Sequence, residues 1–457
     1  MKVHFHCLFY VIARQNAEAI KKWEDNIVSR KFFIGSAGKP GKDYIERCIG
    51  IDNPVHVIHQ GAESKGVFCN VIPKSIIFLR YNSCLVAYGE VTYSDDDTDE
   101  DGWSYRVYVK EWIFFDKSNP RKGVQRYGID KATIEGGKRG IIKEINSEYG
   151  LTKMKEIDPH SSLYQEIKEE IFMENYIKIL ESNKNIILTG APGTGKTFLA
   201  KRIAKEMTNN DNECIGFVQF HPSYDYTDFV EGLRPIKKDD SLGFELKNGV
   251  FKDFCKTAIN NIDKRYVFII DEINRGEISK IFGELFFSID PGYRGEEGKV
   301  KTQYANIQSD DTVFDDDLGE GWFYVPKNVY IIGTMNDIDR SVESFDFAMR
   351  RRFTWIEITA EESAKNMNLP ERSKGRMKAL NDAISKIEGL NASYHIGGAY
   401  FLKLKEYDND YSKLWEYHLQ PLLKEYLRGM PNAAENMKKL EKAYKLDHET
   451  STDENNG

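Results

Sequence analysis

The segment Gly190-Ala191-Pro192-Gly193-Thr194-Gly195-Lys196-Thr197 limits what this chain can fold into more than any other. It follows the apolar run Asn185-Ile186-Ile187-Leu188-Thr189 and precedes Phe198-Leu199-Ala200-Lys201-Arg202-Ile203-Ala204, which reads as a helix. G-x-x-x-x-G-K-T between a strand and a helix is a phosphate-binding loop. Its glycines let backbone N–H groups curl around phosphate oxygens, and the helix N-terminus adds the positive end of its dipole. Lys196 is expected to reach the β- and γ-phosphates and the Thr197 hydroxyl to coordinate Mg²⁺, with Gly190 to Thr197 and Phe198 as the nucleotide contacts. The β and α signals that alternate after this loop suit a parallel α/β sheet.

Two further strands carry the expected chemistry. Tyr266-Val267-Phe268-Ile269-Ile270 is continuously apolar, as a strand covered on both faces must be, and ends in Asp271-Glu272. Asp271 is placed to hold the Mg²⁺ shell and Glu272, one residue beyond the strand, to polarise the attacking water. Val329-Tyr330-Ile331-Ile332-Gly333-Thr334 ends in Met335-Asn336, where Asn336 can orient that water. Arg350, Arg351 and Arg352 stand in a row before the next strand. Such a cluster does not easily reach its own P-loop, but in a ring it would stabilise charge on a neighbour's γ-phosphate. Complementing a helix dipole accounts for one arginine and poorly for three.

A chain of 457 residues calls for more than one core, at about 150 residues per domain. Residues 1–155 hold short β-type runs, including 75–79, 84–88 and 105–109, separated by Gly, Asn, Asp and Pro, and imply a small barrel or strongly bent sheet. Cys7 to Ala13 reads as a buried first strand rather than a signal segment. Ala17 to Ser29 reads as an amphipathic helix, with Ile20, Trp23 and Ile27 on one face. The acidic run Asp95 to Asp101 reads as a solvated hairpin loop rather than a metal cage. Residues 156–358 form the expected α/β core, 359–447 a helical lid and 448–457 a polar, frayed tail.

Lys plus Arg is 64 and Asp plus Glu is 72, a net charge of −8, so any DNA contact has to come from a local patch. No apolar run approaches the ~18 residues of a membrane span. Six cysteines without metal-ligand spacing read as reduced thiols of a cytoplasmic protein.

At this point the motifs resemble a known family, the McrB-like AAA+ proteins, motor subunits of modification-dependent restriction systems that use GTP. The resemblance covers about residues 160 to 430. It rests on the P-loop, on Val218 to Pro235 (VQFHPSYDYTDFVEGLRP), on Asp271-Glu272-Ile273-Asn274-Arg275-Gly276 and on Met335-Asn336-Asp337-Ile338-Asp339-Arg340-Ser341. In the last, Asp337 and Ile338 replace the Thr-Ala of the family pattern. In Ile396-Gly397-Gly398-Ala399-Tyr400-Phe401, Gly398 stands where a His is common.

The resemblance implies an α/β AAA+ P-loop core with a C-terminal helical lid, GTP or ATP with Mg²⁺, and self-association into a hexamer. Asn336 and Asp339 would belong to the loop that completes the hydrolytic site. A McrC-like endonuclease subunit would stimulate turnover and carry the nuclease. The D…E-x-K pattern of Asp239, Asp240, Glu245 and Lys247 is therefore not read as a nuclease here, and Phe244 to Phe254 resembles a hairpin of the family.

The N-terminal domain resembles a PUA- or EVE-type barrel in pattern, the class that flips a modified base out of double-stranded DNA. Trp103 and Trp112 are the stacking candidates, with Lys117, Arg121, Lys122 and Arg126 as a basic rim. The competing reading is an AAA+ chaperone-like ATPase that remodels a protein client.

Overall fold

The protein's structure, a computed structural model, describes residues 30–39, 42–48, 55–59, 68, 70–95, 103–125, 142–238, 241–310, 312–315, 319, 321–338 and 347–445. The expected strand at 7–13, the helix at 17–29, the acidic run past Asp95, Arg126, Asp339 and the tail lie outside them. The chain divides into two compact units at Asn175.

The first unit is built on one sheet. In spatial order it runs β6 (Ile142–Ile145), β1 (Phe32–Ser36), β3 (Ile76–Tyr81), β4 (Cys84–Asp95), β5 (Trp103–Val109), β2 (Val55–His59), with two two-residue strands on β4. Only β1 and β3 run parallel. The bend resides in β4, which pairs with β3 from Cys84 to Glu90 and with β5 from Val91 to Asp95, across a register shift at Val91/Tyr93.

Side-chain alternation sends Phe33, Ile77, Leu79, Val86 and Val107 into one core and Phe32, Ile76, Phe78, Leu85 and Tyr88 into another. The second core also takes Tyr149, Met154 and Ile157 of α1 (Ser147–Ile157) and Tyr164 and Ile167 of α2 (Ser162–Asn183). The division at Asn175 therefore falls later than the expected 155, because the first half of α2 packs into this unit. Arg30 ties it there through Glu90, Glu166 and Glu170.

The second unit holds five parallel strands. They are β7 (Asn185–Thr189), β8 (Ile215–Gln219), β11 (Tyr266–Asp271), β12 (Val329–Thr334) and β13 (Thr354–Glu357), in the order β8-β11-β12-β7-β13. β7 and β12 are buried along their whole length and β11 up to Ile270, as their unbroken apolar runs require. The P-loop, Asp271-Glu272 and Met335-Asn336 thus leave the same edge of the sheet from three neighbouring strands.

Between β8 and β11 a hairpin of β9 (Glu231–Lys238) and β10 (Ser241–Asn248) leads into the helix Val250–Ile259. The expected hairpin at Phe244 to Phe254 is corrected by this: Phe244 sits in the second strand and Phe254 in the following helix, which Gly249 begins. Glu245 and Lys247, of the D…E-x-K pattern, are exposed and paired with each other at 2.7 Å. At the hairpin base Glu231 and Lys252, both fully buried, form an ion pair at 2.5 Å, and Tyr304 N–H and Gln308 Nε2 also donate to Glu231. A buried carboxylate is tolerated when its lone pairs are filled this way.

Ala360 to Tyr444 close a separate helical core around Leu380, Ile384, Leu414, Leu419, Leu423 and Leu440. Four described cysteines are free thiols, three of them buried, and burial pushes the Cys255 thiol up. Among the described residues, no helix is long and apolar enough to cross a membrane.

Candidate active site

Three glycines of the P-loop take backbone angles that L-residues avoid: φ is 140° at Gly190, 77° at Gly193 and 86° at Gly195. The turn so formed wraps Lys196, only 7% exposed, whose Nζ donates to the carbonyls of Gly190 (3.0 Å) and Ala191 (2.9 Å) and to Thr194 Oγ1 (3.3 Å). The ammonium therefore sits at the centre of the loop. Phe198, one residue past Thr197 on the first turn of the helix Lys196–Met207, is 72% exposed.

Asp271 ends β11 between two hydroxyls. Thr197 Oγ1 and Thr334 Oγ1 each donate to its Oδ1 at 2.6 Å. Hard oxygen donors from a hydroxyl and a carboxylate are the chemistry of Mg²⁺, which Thr197 and Asp271 fit. Bound there, the ion would neutralise charge on a polyphosphate. The sequence reading missed Thr334; its signal is the hydroxyl at the end of an otherwise apolar strand.

Glu272 takes a left-handed backbone, φ 51° and ψ 45°, which costs a non-glycine residue roughly 1 kcal/mol or more. Asn336 Nδ2 donates to Glu272 Oε1 at 2.9 Å and Arg275 Nε lies 3.4 Å from Oε2. Asn336 thus holds the glutamate in this structure, where the sequence suggested that it orients water. Asp337 N–H donates to the Gly190 carbonyl at 3.3 Å, the same carbonyl that accepts from the Lys196 ammonium. Burial pushes the Asp337 carboxyl above the usual range, and the nearby Lys196 charge works against that shift.

The three arginines part company. β13 is parallel to β7, with Ile186 opposite Thr354 and Thr189 opposite Glu357, so Arg350 to Arg352 stand at the edge of the sheet opposite the P-loop. Five strand residues separate the two edges, about 17 Å. Arg352 is 8% exposed, with Nε 3.7 Å from Asp290 Oδ2 and its guanidinium over Phe286, and its carbonyl accepts from Asn185 Nδ2 at 2.9 Å. Arg350 lies over Trp355 at 5.3 Å. Arg351 is exposed and, among the described residues, has neither an ion pair nor a ring contact.

The lid grips the P-loop from outside. Gly397 N–H donates to the Pro192 carbonyl (3.0 Å) and Ala399 N–H to the Gly193 carbonyl (2.9 Å), while the Tyr400 ring fills the space a Gly193 side chain would need. The Gly398 N–H donates to Ser363 Oγ at 2.8 Å. A β-carbon on Gly397 would lie 2.2 Å from the Gly193 carbonyl carbon. Gly397→Ala is therefore expected to retain its circular dichroism while losing about tenfold in affinity for a fluorescent nucleotide analogue, a change of ~1.4 kcal/mol. Unchanged affinity would mean that this contact does not shape the loop.

In the first unit, Trp112 corrects the expectation of a stacking residue. It is 8% exposed within the sheet core and its indole N–H donates to the Cys48 carbonyl at 2.7 Å, so its faces are spent on packing. Trp103 lies on β5, described in its backbone alone. Lys117, Arg121 and Lys122 are exposed on one loop, with Arg121 paired to Glu46 and Lys122 to Asp116.

Known proteins resemble this chain over most of its length. Residues 185–353 match the family AAA domain (dynein-related subfamily), and 372–435 match McrB, alpha-helical lid domain. The chain is 32% identical over 401 residues to the type IV methyl-directed restriction enzyme EcoKMcrB subunit of Escherichia coli K12, covering 79% of this chain and 83% of that one. It is 26% identical over 254 residues to the type II restriction enzyme BsuMI component YdiS of Bacillus subtilis 168, covering 49% and 74%.

Proposed function

Since this chain belongs to the McrB-like AAA+ family, a nucleoside triphosphatase family of restriction systems, we propose that it is the ring-forming motor and DNA-recognition subunit of a modification-dependent restriction complex. One observation carries the hydrolytic part: Thr197 is hydrogen-bonded to Asp271, and Asn336 to the adjacent Glu272, beside the Lys196 ammonium.

The residues divide the work as follows. The P-loop N–H groups and Lys196 bind the β- and γ-phosphates of GTP, with ATP as the alternative base. Glu272, fixed by Asn336 and Arg275, accepts a proton from the attacking water. Asp339 belongs to the loop that completes this site. Arg351, and Arg350 beside it, act on the γ-phosphate of the next subunit in a hexamer, because their own P-loop lies at the opposite edge of the sheet.

The bent β-rich unit is the DNA reader, of PUA or EVE type, and its loop bearing Lys117, Arg121 and Lys122, with Arg126 beyond, contacts phosphates of modified double-stranded DNA. A McrC-like endonuclease subunit supplies the nuclease and stimulates turnover.

The test is hydrolysis of GTP and ATP side by side, with and without the McrC-like subunit, and binding of the full chain to modified and unmodified duplex at matched salt. We expect GTP turnover that the partner raises, and tighter binding of the modified duplex. Turnover of ATP alone would remove GTP from the proposal, and equal affinity for both duplexes would remove the reader.

A further inference from the structure

The P-loop begins between two acidic residues that the neighbouring strands bring to it. Beyond β12, Met335 N–H donates to the Leu188 carbonyl (3.0 Å) and Asp337 N–H to the Gly190 carbonyl (3.3 Å). Beyond β13, Ile358 N–H donates to the Thr189 carbonyl (2.8 Å), and Glu357 stands opposite Thr189 in the register. Glu357 is exposed and Asp337 half-buried. The Gly190 carbonyl that accepts from Asp337 also accepts from the Lys196 ammonium at 3.0 Å, so the acidic residue and the ammonium share one anchor.

Lys196 is buried, and the Gly190 and Ala191 carbonyls and the Thr194 hydroxyl that accept from it are neutral groups. An ammonium taken that far out of water also calls for negative charge. Asp337 is placed to supply it. Burial disfavours the charged form of its carboxyl, Lys196 favours it, Glu357 disfavours it, and a hydrogen bond to the Gly190 backbone favours it.

The phosphates of a nucleotide bring several negative charges to the same ammonium. A carboxylate near it then becomes a like charge, in a half-buried place where such pairs are screened less than at the surface. The position of the loop and the charge beside it are separable. The N–H that Asp337 gives to Gly190 is a backbone group, which Asn or Thr at this position would retain.

We infer that Asp337 is a counter-charge to Lys196 that competes with the phosphates of the nucleotide, and so sets how tightly the loop holds them. The inference rests on the reading of this loop as a triphosphate site. It makes Asp337 a determinant of affinity in its own right, where Asn336 beside it acts through Glu272.

The test measures the binding of fluorescent, non-hydrolysable analogues of GTP and ATP, with Mg²⁺, to the full chain and to Asp337→Asn. Asp337→Thr, the residue of the family pattern, repeats the comparison with a second neutral side chain. At about pH 8 both variants should bind the analogue roughly fivefold or more tightly than the parent. The ratio of parent to variant dissociation constants cancels the titration of the phosphates, of Glu357 and, beyond it, of His395 in the lid. The Asp337 carboxyl lies above its usual range, is charged at about pH 8 and takes up a proton as the pH falls, so the ratio should decline towards one on acidification. Unchanged or weaker binding in Asp337→Asn, as a residue that only scaffolds the loop would give, overturns the inference, as does a gain that persists undiminished on acidification. A parent that binds neither analogue overturns the inference together with the nucleotide reading, whereas a parent that binds while Asp337→Asn shows no gain overturns the inference alone.

Discussion

Glu272→Gln is expected to bind nucleotide as the parent chain does while multiple turnover falls by about 10²- to 10⁴-fold, the usual contribution of a positioned general base. The substitution is nearly isosteric. Its amide oxygen can still accept from Asn336 Nδ2, which in the parent lies 2.9 Å from Glu272 Oε1, so the loop geometry is retained. Lys196 and Thr197, the expected phosphate and Mg²⁺ contacts, are held by the Gly190 and Ala191 carbonyls, by Thr194 and by Asp271, all of which the substitution leaves in place. What is lost is the proton acceptor. A single-turnover assay with pre-bound nucleotide separates the effects, and hydrolysis at the parental rate would remove Glu272 from the mechanism.

Arg351→Ala should be comparably severe, a loss of about 10³-fold or more, the scale on which an arginine supplied to a transferring phosphoryl group acts. The parental rate in this variant alone would exclude Arg351. The mixture with Lys196→Ala is more informative. Arg351→Ala subunits keep an intact P-loop, and Lys196→Ala subunits keep the arginine. In randomly mixed rings about a quarter of the interfaces combine the two intact halves, so activity should return to roughly that fraction in a mixture of two inactive proteins. Failure to recover in any proportion would contradict an arginine acting across an interface. Arg352→Ala makes a suitable contrast, since Arg352 is 8% exposed over Phe286 and near Asp290, and its removal is expected to lower thermal stability as well as activity.

The P-loop, the acidic pair and the apolar strands that carry them were legible in the sequence for a physical reason. A parallel sheet covered on both faces needs strands without alternation, and Asn185 to Thr189, Tyr266 to Ile270 and Val329 to Thr334 are such runs, each followed by the residues that do the chemistry. What could not be read depends on the third dimension. Nothing in Arg350-Arg351-Arg352 says which side chain turns inward; that follows from the proximity of Asp290 and Phe286, some sixty residues earlier.

The contact of Asn336 with Glu272 joins two strands that are distant in sequence. Trp112 was misjudged because, in a sheet bent so that both faces are covered, an aromatic residue beside polar neighbours can still be core. The grip of Gly397 and Ala399 on the P-loop left only one trace, two adjacent glycines.

One strand has a mechanical meaning that its hydrogen bonds make concrete. β7 carries the P-loop at one end, and at the other Asn185 donates to the carbonyls of Ile289 and Arg352 and accepts from Arg294. Clamped by strands on both sides, it behaves as a short stiff rod rather than a hinge. A push on the arginine-bearing edge of the sheet would reach the loop at the opposite edge as a shift of the whole rod, so in the proposed ring each subunit would pass displacement to the next as one of a linkage of levers, with little slack in each one.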